Sequence, residues 1–352
     1  MLLRLDENVE IDMSYITCAE YQLFIDEKFD AGEPRQPDHW KETKFSRGHA
    51  MQPITGVRVS DAIDFCQWLT KQHSTPDFRY RLPTLEEVRR YPIAQEYKSK
   101  LGCWCSNGQE YLIAGVDNTQ LELWQIQLAN DLILRPDPSV YGNIFRFFER
   151  DRYIITDKIY SKFFDFFDPK YNPELYRDLD RIVNRGSNKQ KITLYSDNNL
   201  LRFLQQVQER NLTREPERRR ILESNILPTL KNFLENYIEF NRSDLLNVNL
   251  YHQLLLKIES RQARDFQILY YPLMVMIAVC HQLEFIYKKA AKDRHFLSNN
   301  INSQKSLDIS NRYAEKIHEI FKYYSYLVLL DERQSAIIPA WESIRIVRQR
   351  VY

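Results

Sequence analysis

Residues 80–87 read Tyr-Arg-Leu-Pro-Thr-Leu-Glu-Glu, a stretch that combines a turn with the start of a helix. Thr84 and Glu87 are three positions apart, the spacing of a capping box in which each side chain bonds to the backbone N–H of the other residue. We therefore predict a short helix that begins after Thr84 and ends before Pro92, because the residue before a proline disfavours helical backbone. Arg81 precedes this turn, where we expect it to form a structural ion pair.

The chain before this stretch predicts a strand and two helices. Val9–Met13 alternates apolar and polar residues, which is typical of a half-buried strand. Thr17 and Glu20 repeat the capping-box spacing, so we predict a helix from Cys18 to about residue 29. Ser60 is expected to cap a second helix that has one apolar face.

The second half of the chain predicts helices throughout. All eight glycines lie at or before Gly186, and apolar residues then repeat at helical spacing in Asn198–Arg210, Arg218–Phe240 and Ser310–Leu330. The longest apolar run, Ile268–Cys280, is shorter than the ~20 residues that a bilayer demands, so we predict a buried core helix there.

Several segments of the first half stand in the order and spacing of one known family. Pro53–Ala62, Phe65–Leu69 and Tyr80–Glu87, preceded by Ile16–Tyr21, resemble the formylglycine-generating, sulfatase-modifying-factor family. At the other end of the chain, Ser343–Arg348 is similar to the closing strand of these domains. The resemblance implies a variant of the C-type lectin fold in which the first and last strands pair.

The predicted fold class is therefore α+β. We expect a C-type-lectin-like frame of the formylglycine-generating-enzyme type, formed by residues 1–140 and 336–352. An all-α insertion is expected to occupy residues 141–335, between the two parts of the frame.

The resemblance implies a late cysteine pair that binds copper(I) and activates oxygen, but this sequence has no such pair and lacks the tryptophan-rich segments that accompany it. We therefore expect no catalysis and no cofactor. Cys103 and Cys105 are the one close pair of thiols, and alternate residues of a strand point to the same face. A copper site at this pair, in an oxidase of formylglycine-generating type, is the alternative hypothesis.

Binding residues are expected in loops carried by a rigid frame. His39 and Trp40 lie in a proline-rich and charged segment, residues 31–53, that shows no regular periodicity and is predicted to be a long loop. Trp104 and Trp341 lie near the ends of predicted strands. These four residues form a candidate surface cluster for ligand binding, and each tryptophan has the alternative of being a core anchor.

The helical insertion offers a second candidate site. Arg312 and His318 bracket five residues on a predicted helix, a spacing similar to the signature of the helical ribonucleases called the HEPN group. Arg218, Arg219 and Arg220 form a basic cluster that is able to contact nucleic acid. RNA binding or nuclease activity in the insertion is therefore a third hypothesis.

Composition limits the cellular locations and the classes of partner that are expected for this chain. The chain has 49 basic and 48 acidic residues, so no overall charge attracts nucleic acid or a membrane surface. Five widely spaced cysteines argue against a disulfide framework and favour a cytoplasmic location. We expect a non-catalytic recognition or scaffold protein that binds another protein, in a bacterial defence or signalling system to which the resemblance points, with nucleic acid as the alternative partner and no membrane contact.

Overall fold

A computed structural model describes most of the N-terminal part, the C-terminal part and selected helices of the chain. None of the helices within the described part combines the length and apolar character that spanning a bilayer demands. The described residues are 2–73, 77–93, 100–136, 172–175, 177–178, 227–247, 251, 254–255, 266–292 and 303–351.

The first of two compact units consists of residues 1–128, 243–265 and 329–352. It therefore contains both ends of the chain. Its strands and helices are β1 (Leu2–Arg4), β2 (Val9–Asp12), α1 (Cys18–Asp30), α2 (Val59–Gln72), β3 (Phe78–Arg81), α3 (Leu85–Arg90), β4 (Gly102–Ser106), β5 (Tyr111–Ala114), the first part of α4 (Asn118–Leu134), β6 (Glu342–Ser343) and β7 (Val347–Arg350).

Two small sheets organise this unit. The four-stranded sheet has the order β1-β2-β7-β3, with antiparallel pairing throughout, and Val347 lies opposite both Ile11 of β2 and Arg81 of β3. The three-stranded sheet has the order β5-β4-β6, in which β4 and β6 are parallel. The predicted pairing of the opening strand with the closing strand is confirmed.

The predicted helix starts are confirmed at two of three positions. Capping boxes are formed at Thr17 with Glu20 and at Thr84 with Glu87, and α3 ends at Arg90. The prediction for α2 is wrong, because this helix begins at Val59 and Ser60 lies inside it. The extended residue before it, Arg58, is buried, and its guanidinium donates to both carboxylate oxygens of Asp38 at 2.7 and 2.5 Å, which holds the chain extended up to this residue.

The core of the first unit forms between α1, α2 and residues 337–350, which contain β6 and β7 and which we call the closing segment. Tyr21, Phe24 and Phe65 pack their rings with centroids 5.4–5.7 Å apart, the separation expected of favourable aromatic pairs. Ile344 and Ile346 of the closing segment belong to the same buried cluster. The predicted 31–53 loop contains no helix or strand. Its Trp40 and Phe45 pack against this cluster.

The second compact unit consists of residues 129–242 and 266–328. Its described helices are the last part of α4, α5 (Leu227–Phe240), α6 (Phe266–Lys292) and most of α7 (Ser303–Gln334). Leu273, Met274 and Met276–Cys280 of α6 are at most 5% exposed, which confirms the predicted buried core helix for this part of the run Ile268–Cys280. Asn198–Arg210 lies outside the described residues. The division into residues 141–335 and the remainder stays a prediction, since the compact units divide the chain at other positions.

A buried ion pair fastens the closing segment of the first unit. One terminal nitrogen of Arg333 donates to both carboxylate oxygens of Glu342, at 2.6 and 2.8 Å, and the two side chains are 6% and 9% exposed. The backbone N–H of Trp341 donates to the same carboxylate. Removing one member of a buried pair leaves the other charge uncompensated, which is strongly destabilising.

Glu342→Gln is therefore expected to lower the free energy of unfolding by about 3 kcal/mol, because Arg333 loses its counter-charge in a buried position. Tryptophan fluorescence during urea unfolding measures this in the first unit, which contains all five tryptophans. Glu33→Gln is the matched control, since it breaks exposed pairs with Lys28 and Arg35 and is expected to change the stability much less than Glu342→Gln does. Equal losses in the two variants would contradict the expected role of the buried pair.

Candidate functional site

The Cys103-Trp104-Cys105 segment forms the middle of β4. Alternation along the strand sends the indole of Trp104 into the core, where its Nε1–H donates to the Val57 carbonyl at 2.7 Å. The two thiols lie on the other face, and both cysteines are at most 1% exposed. The thiol of Cys105 donates weakly to the Leu112 carbonyl at 3.5 Å. The predicted strand geometry of this pair is present, but the pair is closed to solvent.

Burial keeps these two thiols protonated. It raises the pKa of Cys103 to about 12 and that of Cys105 to about 11, because desolvation penalises the thiolate. The charge of Cys105 raises the pKa of Cys103 further, while Arg345 lowers it by a smaller amount. Since the thiolate is the nucleophile and the metal ligand, neither cysteine is activated near neutral pH.

The donor set near Cys103 and Cys105 fits copper poorly. The described residues contain no group of three or more His, Cys, Asp or Glu side chains able to hold a metal ion. The two thiols must also lose their protons to bind copper(I). The other three cysteines, Cys18, Cys66 and Cys280, are also buried and unpaired by disulfides, and burial raises the pKa of each thiol.

The expected surface cluster of aromatic residues is not formed. Trp341 is 1% exposed, stacks on Trp124 with centroids 5.0 Å apart and an interplanar angle of 11°, and carries the Arg333 guanidinium 4.5 Å from its ring centroid. Trp104 is likewise a core residue. These two tryptophans are therefore anchors of the frame, and Trp40 is only half-buried against the core.

His39 has an unusual setting in the long loop. The residue as a whole is half-buried, but its Nδ1 atom is inaccessible and has no hydrogen-bond partner among the described residues. The ring lies against Gly56, where an added Cβ atom would come within 2.6 Å of the imidazole. Burial, and then the charge of Arg333, hold the pKa of His39 well below its usual value, whereas Asp38 acts in the opposite direction.

The depressed pKa of His39 makes the frame sensitive to acid. The folded state keeps the ring neutral while the unfolded chain takes up a proton below about pH 6.5, so the stability that His39 contributes is complete above that pH and is lost as the pH falls. We expect His39→Gln to reduce the loss of unfolding free energy between pH 7 and pH 4.5 by at least about 1 kcal/mol, measured by urea unfolding at each pH.

His49→Gln is the matched control for this acid effect, since His49 is an exposed residue of the same loop. Its pH dependence should follow that of the wild type. An unchanged pH dependence in His39→Gln would show that the histidine ring is protonated equally in the folded and unfolded states.

Arg312 and His318 of α7 bond to different residues. Arg312 bonds to the carboxylates of Glu174 and Asp178, each at 2.9 Å, and Asp178 also accepts bonds from the hydroxyls of two buried tyrosines. The Nδ1 atom of His318 instead pairs with the hydroxyl of Tyr237 at 2.9 Å. The two residues are thus engaged by different internal partners. Arg218, Arg219 and Arg220 lie outside the described residues.

A hollow in the first unit was not anticipated from the sequence. It has a volume of about 560 Å³, and nine of its fifteen lining residues are apolar side chains from α3, β5 and the connections around them. Its charged lining residues are Arg89, which is exposed, and Arg345, which is fully buried. Arg345 lies between two isoleucines of the closing segment, so the spacing of apolar residues gave no sign that this guanidinium faces the interior.

Fold and site together define the class of the first unit. It is an α+β frame whose opening and closing strands pair and whose cysteines are buried and protonated. The family model of the sulfatase-modifying factor enzyme 1-like domain matches residues 4–114, so this stretch is a domain of that family, as the motifs predicted. Comparison with curated proteins and with solved structures gives no match.

Proposed function

We propose that this protein is a non-catalytic recognition or scaffold protein that binds another protein. The observation that carries the proposal is the state of its thiols, since all five cysteines are buried and burial raises the pKa of each. A frame of this family without an activated thiol pair keeps the scaffold and lacks the chemistry that the resemblance implies.

The outer face of α4 supports a protein partner. Leu123 and Ile126 are three positions apart, so they lie on the same side of the helix, and they are 53% and 44% exposed. Neighbouring apolar side chains on an exposed helix face are the kind of surface that a partner protein covers. We call this pair the α4 outer face.

The wider setting of the proposal rests on separate grounds. Buried, unpaired cysteines support a cytoplasmic location, where thiols stay reduced. A bacterial defence or signalling role rests on the resemblance alone. The proposal includes no cofactor and no membrane contact.

Copper binding separates this proposal from the oxidase alternative. We expect the reduced wild type and the Cys103→Ser/Cys105→Ser variant to bind copper(I) equally weakly in a titration against a chelating competitor, because the two thiols are buried and protonated. The Cys18→Ser/Cys66→Ser variant controls for the loss of two buried thiols elsewhere in the same unit. Tight one-to-one binding that is lost only in the 103/105 variant would overturn the proposal and justify a peptide-oxidation assay.

Charge placed on the α4 outer face should abolish partner binding. The full-length protein is used to capture proteins from a lysate of its source cells, and Leu123→Glu/Ile126→Glu is expected to lose at least tenfold of any specific partner because burying a carboxylate is costly. Gln67→Glu/Gln109→Glu adds the same charge at exposed positions of the first unit outside α4 and should retain the partner. A partner held equally by both variants would move the binding site away from this face.

A further inference from the structure

The hollow beside β4 combines an apolar wall with positive charge. The hydrogen-bond register places Cys103 opposite Ala114 and Cys105 opposite Leu112, so these side chains share the face of β4 and β5 that is turned away from the core. Three of these four residues, Cys103, Leu112 and Ala114, line the hollow. Its volume of about 560 Å³ falls within the range of small-molecule sites, which are mostly apolar with a few placed polar groups.

Among the described residues that line the hollow, two are arginines and none is acidic. Of two carboxylates close in sequence to the lining residues, Glu87 is paired with the charge of Arg81 at 2.7 and 2.8 Å, whereas Asp117 accepts the neutral N–H of Thr119 at 2.7 Å. The positive charge of the hollow is therefore not neutralised by its own lining.

Arg345 is the buried source of that charge. Its described partners are the carbonyls of Asp12 and Tyr91, each at 2.5 Å, and the sulfur of Met13 at 3.5 Å, rather than a carboxylate. The two carbonyls and the thioether accept hydrogen bonds from the guanidinium of Arg345, but as neutral groups they do not cancel its positive charge. Desolvation lowers the pKa of Arg345, and nearby groups, including the carboxylates of Asp12 and Glu87, oppose this without bonding to the guanidinium. An anion in the hollow would add to this partial compensation of a buried charge.

Arg89 is the accessible source of charge. It lies near the end of α3, is exposed, and lines the hollow, whereas its neighbour Arg90 does not line it and instead places its guanidinium 5.7 Å from the ring centroid of Tyr91. Arg89 is thus the residue that is able to pair directly with an anionic group at the hollow.

We propose that this hollow binds a small monocarboxylate with an apolar body, such as a medium-chain fatty acid, with the carboxylate at Arg89 and the apolar body against Leu112, Ala114 and the neighbouring wall. A small inorganic anion would gain little from an apolar wall, and a neutral apolar molecule would gain nothing from the two arginines. The ligand chemistry that uses both features is amphiphilic and anionic. This inference does not depend on the protein partner proposed above.

Calorimetric titration of the full-length protein with decanoate tests the site, with decanol and decyltrimethylammonium as neutral and cationic probes of the same chain length. Decanoate is expected to saturate a single site below its micelle concentration and to bind at least tenfold more tightly than either of the other probes. Its affinity should fall as salt is added, since the Arg89 contact is exposed to solvent.

Arg89→Gln should weaken decanoate binding by roughly three- to tenfold, because it removes a charge-assisted contact. Arg90→Gln is the matched control and should bind like the wild type, because it makes the same charge change outside the hollow. Ala114→Trp should abolish binding by filling the space, in a protein whose circular dichroism and unfolding temperature show that it is folded.

Three results would each overturn the proposal. These are the absence of saturable decanoate binding, equal binding of decanol, and equal weakening by the substitutions of Arg89 and Arg90. Because Arg89 is an exposed residue, its substitution keeps the test decisive even if Ala114→Trp does not fold.

Discussion

The frame depends on the hydrogen bonding of β7 along both of its edges. This strand pairs with β2 on one side and with β3 on the other, so without it the four-stranded sheet would separate into fragments. Ile11 and Val347 face each other although 336 positions separate them in the chain. The entropy cost of closing a loop grows only slowly with its length, which is why two strands so far apart in the chain are able to pair.

The residues that lead into β7 place unusual polar groups in the interior. Arg333 with Glu342, and Arg345 with two backbone carbonyls, hold the closing segment in a single position between the two sheets. Buried charges are costly unless their partners are correctly placed, so a shift of this segment by one residue would leave them unsatisfied. The closing segment therefore contributes to the specificity of the frame as well as to its hydrophobic core.

The same burial decides the chemistry of the first unit. β4 lies between β5 and β6, and its two cysteines are closed to solvent there, which keeps their thiols protonated. A side chain that completes a core in this way is a poor nucleophile and a poor metal ligand. The charged groups beside β4 are instead Arg89 and Arg345, which line the hollow.

The sequence by itself determined those helices and strands whose formation depends on residues close together in the chain. The capping boxes at Thr17 and Thr84, the alternation of Val9–Met13 and the apolar run of α6 depend on residues a few positions apart, and each formed as predicted. The start of α2 differs from the prediction, because the buried contact of Arg58 with Asp38, twenty positions earlier, outweighs a local serine cap.

Only the tertiary structure decided the burial of Trp341, the inaccessible ring nitrogen of His39 and the hollow between α3, β5 and Arg345. The residues involved are separated by tens to hundreds of positions, and no periodicity within one segment encodes their distance. Burial, and with it the pKa of a thiol or an imidazole, is a property of all the atoms around a group. It is therefore determined when the chain packs, and the order of the residues alone does not reveal it.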